Sequence, residues 1–98
     1  MFRFTITGFH QNGRRVSKDN DNNVRIVCTT QEGSVLAIWG SENTSNTSNI
    51  EKIEAAEQLN GFPFKIDCKI NGDPPPKNFQ TEYGHGHWIG ENNYLEIL

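Results

Sequence analysis

A mainly β domain with one short helix is the fold class that this sequence predicts, and three observations predict it. Residues Phe62-Pro63-Phe64-Lys65-Ile66-Asp67-Cys68-Lys69-Ile70 alternate apolar and polar along their length. A strand buried on one face requires that pattern, because successive side chains point to opposite faces. Four further runs, Phe2–Phe9, Val24–Thr30, Ser34–Gly40 and Tyr94–Leu98, are apolar or alternating stretches separated by polar segments rich in turn formers. One segment alone, following Ser48, spaces its apolar residues as a helix does.

The first strand, Phe2–Phe9, sets Phe2, Phe4 and Ile6 inward and Arg3, Thr5 and Thr7 outward. Gly8 marks a bulge or bend, where a glycine inside a strand often sits. Gln11–Asn23 is polar and carries Arg14, Arg15 and Lys18, so it is either a solvated connector or a binding loop. The second strand, Val24–Thr30, places Val24, Ile26 and Cys28 inward and Arg25 and Thr29 outward. Gln31-Glu32-Gly33-Ser34 is a hairpin turn into the third strand, Ser34–Gly40. Val35-Leu36-Ala37-Ile38-Trp39 is apolar throughout, so periodicity does not choose its buried face; Leu36 and Ile38 inward would send Trp39 outward.

Ser41–Asn49 reads as a polar loop of low complexity. Ser48-Asn49-Ile50-Glu51 fits a capping box, in which the serine hydroxyl accepts from a backbone N–H three residues on and the glutamate reaches back. Ile50, Ile53, Ala56 and Leu59 then form the inward stripe, Glu51, Glu54 and Glu57 face water, and Asn60-Gly61 stops the helix. Such an acidic helix should not face an anionic ligand. After the fourth strand, Phe62–Ile70, three consecutive prolines end the pairing, since proline has no N–H to donate. Lys77–Asn93 reads as irregular, and Tyr94–Leu98 as a closing strand.

The 98 residues form a single domain, residues 1–98, with 34% hydrophobic and 21% charged residues and a mean hydropathy of -0.68. No apolar run is long enough to cross a membrane, and no apolar stretch of signal-peptide kind follows Met1, so a cytoplasmic protein without membrane association is expected. Cys28 and Cys68 fall on the inward side of their strands and read as buried reduced thiols. The sequons Asn43-Thr44-Ser45 and Asn46-Thr47-Ser48 read as chance within a Ser/Thr/Asn-rich stretch.

The order β-β-β-α-β-β, over nearly the whole chain, resembles the OB-fold, a small barrel that binds oligonucleotides and oligosaccharides. The resemblance implies a five-stranded antiparallel barrel with one short helix and a ligand platform on its outer strand face. Closure also suits the inward set Phe2, Phe4, Ile6, Val24, Ile26, Phe62, Phe64, Ile66 and Ile70, which one short helix does not cover.

Arg3, Arg25, Lys65 and Lys69 all fall outward on the strands, with Asp67 the one acid among them, although the chain as a whole has a net charge of -3. Single-stranded nucleic acid is held by cations on phosphates and flat rings under bases. The expected function is therefore non-catalytic binding of single-stranded DNA or RNA, with Arg3, Arg25, Lys65 and Lys69 on phosphates and Trp39 and Trp88 stacking bases. Cations on exposed strand faces equally serve to discourage edge-to-edge aggregation. A rival is a protein-interaction or assembly module, homodimeric through strand edges or Trp39, which the acidic net charge favours. A second rival is a small hydrolytic or metal-dependent enzyme using His10, His85 and His87; no third ligand is spaced to complete a metal site, and no nucleotide-binding or nucleophile motif occurs. No catalytic residue, metal or cofactor is expected.

Overall fold

The computed structural model describes residues 2–10, 23–41, 45–71, 77–79, 84–89 and 94–98. Their elements are β1 (Phe2–Phe9), β2 (Asn23–Thr30), β3 (Val35–Ser41), α1 (Ser45–Asn60), β4 (Phe64–Asn71), β5 (Lys77–Phe79), β6 (Gly84–Ile89) and β7 (Tyr94–Ile97). The strands form one mixed sheet in the order β5-β6-β3-β2-β1-β4-β7. Every pairing is antiparallel except β3 with β6, which run parallel.

The inward alternation holds through the centre of the sheet. Phe4, Ile6, Ile26, Cys28, Leu36, Ile38, Phe64, Ile66 and Cys68 share one core with Ile50 and Ile53 of α1, Ile89 of β6 and Leu95 of β7. Both cysteines are buried and free. Burial in this apolar interior pushes the Cys28 thiol up to about 12 and the Cys68 thiol up to about 11. The expected bulge lies between Ile6 and Gly8, where the register against β2 shifts by one residue. The hairpin turn at Gln31–Ser34 is closed by Gly33 N–H donating to the Thr30 carbonyl at 3.1 Å, with Gly33 at φ 87°. Glu32 of this turn also accepts from the Thr5 N–H at 3.0 Å, and Thr5, on the outer face opposite Lys65, is buried.

The expected five-stranded antiparallel barrel is not formed. The sheet has seven strands among the described residues and stays open, with β5 and β7 at its edges. Two of the extra elements come from the segment expected to be irregular. Gly84-His85-Gly86-His87 carries little strand propensity, yet glycine is what permits β6 to pair here: a methyl at Gly86 would overlap the Val35 carbonyl oxygen and lie 2.6 Å from Val35 Cγ2. The sheet nonetheless curls, since the His87 ring of β6 meets Phe2 and Phe4 of β1 edge-on, each at 5.4 Å between centroids.

Three further expectations are corrected. The helix begins at Ser45, so Ser48 lies within it instead of capping it. Leu59 is 85% exposed; repeated steps of three residues drift round a helix of 3.6 residues per turn, and nine residues carry Leu59 about 180° from Ile50. Phe62 precedes β4 and is 42% exposed, packed on the rings of Phe9 and Phe64 at 5.2 and 5.8 Å instead of entering the core. Asn23, expected in the Gln11–Asn23 connection, opens β2; the expectations for the rest of that connection, Tyr83 and the side chains of Val24 and Phe79 lie outside what the structure describes.

Where the barrel would close, α1 intervenes. Leu98 N–H donates to the Asp67 carbonyl at 2.9 Å, and hydrogen-bonded pairs alternate along an antiparallel ladder. Leu95, three residues earlier and opposite Ile70, therefore turns its N–H and C=O away from β4. Asn46 and Asn49, both buried, meet those two groups: Asn46 Oδ1 accepts from Leu95 N–H at 3.4 Å and Asn49 Nδ2 donates to Leu95 C=O. The same Asn46 donates through Nδ2 to the Trp39 carbonyl of β3 at 3.0 Å.

Candidate nucleic-acid interface

Alternation and register place the candidate cations. Residues 2, 4 and 6 of β1, 26 and 28 of β2, 36 and 38 of β3, and 64, 66 and 68 of β4 face α1. Arg3, Arg25, Trp39, Lys65 and Lys69 therefore lie on the opposite face of the sheet. The acidic helix and the cationic strand face are separated by the thickness of the sheet.

On that outer face the candidates form two groups. In the first, Arg3 of β1 stands opposite Asp67 of β4, and Lys65 stands opposite Thr5. Arg3 grips Asp67 with two bonds, Nε to Oδ1 at 2.6 Å and Nη2 to Oδ2 at 3.0 Å. The hydrogen bond from Arg3 holds the Asp67 carboxyl below its ordinary value, and the same pair raises the Arg3 guanidinium. Lys65 and Lys69 flank Asp67 along β4 and are both exposed; at the usual rise they stand about 13 Å apart. Lys69 lies opposite the exposed Glu96 of β7.

In the second group, Arg25 of β2 stands opposite Trp39 of β3, its guanidinium carbon 5.9 Å from the ring centroid. Leu36 and Ile38 do point inward, so Trp39 faces out. Extending the β1–β2 register puts Arg25 beyond the end of β1, roughly 20 Å along the strand direction from Lys65. The structure thus gathers Arg3, Lys65 and Lys69 together and Arg25 with Trp39, but does not join the two groups. Between them the Thr7 and Thr29 hydroxyls share a hydrogen bond of 3.0 Å. Trp88 pairs with Ala37 in the parallel ladder; its side chain lies outside the described part.

Not all of the outer face is open. Val27, Val35 and Ala37 form a second buried cluster with Trp39 packed against it, and Val27 and Ala37 are wholly inaccessible. The sequence signal was present: Val27 is apolar on the outward register of its strand, and Val35–Trp39 is apolar on both registers. A strand buried on both sides reads as an unbroken apolar run. The accessible platform is therefore the β1–β4–β7 half apart from the buried Thr5, with Arg25 and Trp39 standing separate from it.

The histidines do not assemble a centre here. His85 is exposed, His87 packs among phenylalanine rings, and His10 is tied through its backbone N–H to Val27 at 2.8 Å. Among the described residues no group of three or more His, Cys, Asp or Glu is placed to hold a metal ion, and no helix is long and apolar enough to cross a membrane. No family model matches the chain, and neither a curated protein nor a solved structure matches it, so the chain's own geometry is the ground for its function.

Proposed function

We propose that the protein binds single-stranded DNA or RNA without catalysis, through the outer face of β1, β4 and β7 and the separate Arg25–Trp39 pair on the same side of the sheet. One observation carries this reading: four candidate cations, Arg3, Arg25, Lys65 and Lys69, occupy the side of the sheet away from Glu51, Glu54 and Glu57 of α1. An overall acidic chain repels a polyanion unless its charges are segregated in this way. The element order β-β-β-α-β, with β4 returning beside β1, supports the same reading through its resemblance to OB-folds, whose barrels are partly open. Lys65, Lys69 and Arg3 would contact phosphates. Trp39, with Arg25 over its ring, would stack a base, a contact worth about 1–3 kcal/mol.

Fluorescence titration of labelled oligonucleotides at several salt concentrations tests this. Replacing Lys65 and Lys69 by Ala should weaken binding and lower the dependence of log K on log salt by roughly 0.7 per lost contact. Trp39→Ala should weaken binding with little change of slope, because stacking releases no counterions. Absence of binding at low salt would remove the proposal.

An assembly module is the second reading, favoured by three large apolar side chains left exposed among the described residues: Leu59, Phe62 and Leu98, the last at 60%. Sedimentation of the wild type against Phe62→Ser would separate the two, since only an assembly module changes its mass.

A further inference from the structure

Resting on the nucleic-acid reading, the geometry points to Arg3 as a phosphodiester-receiving fork that Asp67 keeps occupied in the unliganded protein, so that a nucleic-acid strand binds by exchanging a phosphate for this carboxylate. Three features carry the inference. A guanidinium fork matches the two oxygens of a carboxylate and of a phosphate alike, and Arg3 uses Nε and Nη2 on Asp67 in that two-point manner. The pair sits at the surface, with side chains 66% and 37% exposed, so a strand crossing the face reaches it without opening the fold. Lys65 and Lys69 flank Asp67 on its own strand, so an anion arriving at Arg3 meets three cations against two acids, Asp67 and the Glu96 opposite Lys69.

Exchange is cheap because the pair is wet. Ion pairs at this level of exposure are worth little, as water and salt already screen them. Among the described residues the Asp67 carboxylate has no hydrogen-bond donor besides Arg3: its backbone carbonyl, not its side chain, receives Leu98. Asp67 therefore holds Arg3 in one rotamer, pre-organised for a tetrahedral anion, while lowering the affinity of the face for anions in general.

The test is Asp67→Asn, measured with a fluorescein-labelled oligothymidylate across a salt series and compared with Glu96→Gln. Both substitutions raise the net charge by one on the same face, but only the first releases Arg3. Asp67→Asn should bind about two- to fivefold more tightly, the scale of one exposed ion pair. Its salt slope should stay near the wild-type one, since Arg3 meets a phosphate in both complexes. Glu96→Gln should gain less and keep the wild-type slope, and Arg3→Ala combined with Asp67→Asn should cancel the gain. A methylphosphonate oligomer of the same sequence, lacking backbone charge, should show no gain. Equal gains for Asp67→Asn and Glu96→Gln, with wild type binding, overturn the exchange and leave the nucleic-acid reading standing. Wild type failing to bind at low salt overturns that reading itself.

Discussion

Asn46 joins Trp39 to Leu95. Its carboxamide donates to the carbonyl of one and accepts from the amide of the other, at 3.0 and 3.4 Å, across the gap between β3 and β7 where a closed barrel would have a strand ladder. With Asn49 on the Leu95 carbonyl, two side chains take the place of a neighbouring strand along the middle of β7. An exposed strand edge otherwise invites pairing with another chain.

Removing these amides should therefore act twice. Asn46→Ala or Asn49→Ala leaves buried backbone groups unpaired and should lower stability by about 1–3 kcal/mol, measured by urea denaturation. The freed β7 edge should also raise self-association in sedimentation. Ser48→Ala, exposed within the helix, should stay within about 0.5 kcal/mol; an equal loss there would restore the capping-box reading.

Phe64 and Lys65 are neighbours on opposite faces of β4, one 6% exposed in the main core and the other exposed. Phe64→Ala should cost about 3–5 kcal/mol and Lys65→Ala no more than about 0.5. Denaturation curves of the two variants measure the difference directly.

At Gly86 the constraint is space. Because an added methyl meets the Val35 backbone, which cannot rotate away as a side chain could, Gly86→Ala should cost at least about 1–3 kcal/mol. Hydrogen exchange should show the damage first in the β3–β6 ladder, with β1–β4 protection unchanged.

The Arg3–Asp67 pair sets a pH signature. Asp67 is held below its ordinary value of 3.8 in the folded state, chiefly by the hydrogen bond from Arg3. Its contribution is present above that ordinary value and is lost as pH falls through the lowered folded one. Wild type and Asp67→Asn should differ in unfolding midpoint near neutral pH and converge in strong acid. A difference that persists in acid would mean the pair is not its source.

Cys28 should resist thiol reagents at mildly alkaline pH, since it is wholly buried and its thiol is pushed up to about 12. Ellman's reagent should report it only at the rate of unfolding.

The parts of the fold legible in sequence were those where one local signal sufficed. Alternation in Phe64–Ile70 located a strand and its buried face, Gly8 located a bulge, and Gln31–Ser34 located a turn. What escaped depends on contacts distant in sequence. β6 is a strand because β3 offers it a partner and Gly86 lets it approach, not because its own residues favour extension. The first turn of α1 exists where Asn46 and Asn49 find Trp39 and Leu95, and polar residues in a low-complexity run give no sign of such partners. For the candidate site, outward parity put Arg3, Arg25, Lys65 and Lys69 on one face. Parity carries no lateral information, so it could not show that Arg25 and Trp39 sit roughly 20 Å from Lys65 or that Asp67 already engages Arg3.

The parallel ladder between β3 and β6 has a consequence for how the chain reaches this state. Val35 pairs with Gly86, 51 residues later, whereas β2 and β3 meet across one short turn. Closing so long a loop is entropically costly and contacts of this separation form late. The meander β1–β2–β3 should therefore assemble first and wait, with the far side of β3 unpaired, until β6 has been synthesised. During translation that waiting edge, made of Val35-Leu36-Ala37-Ile38, is an unpaired apolar strand edge of the kind that invites aggregation.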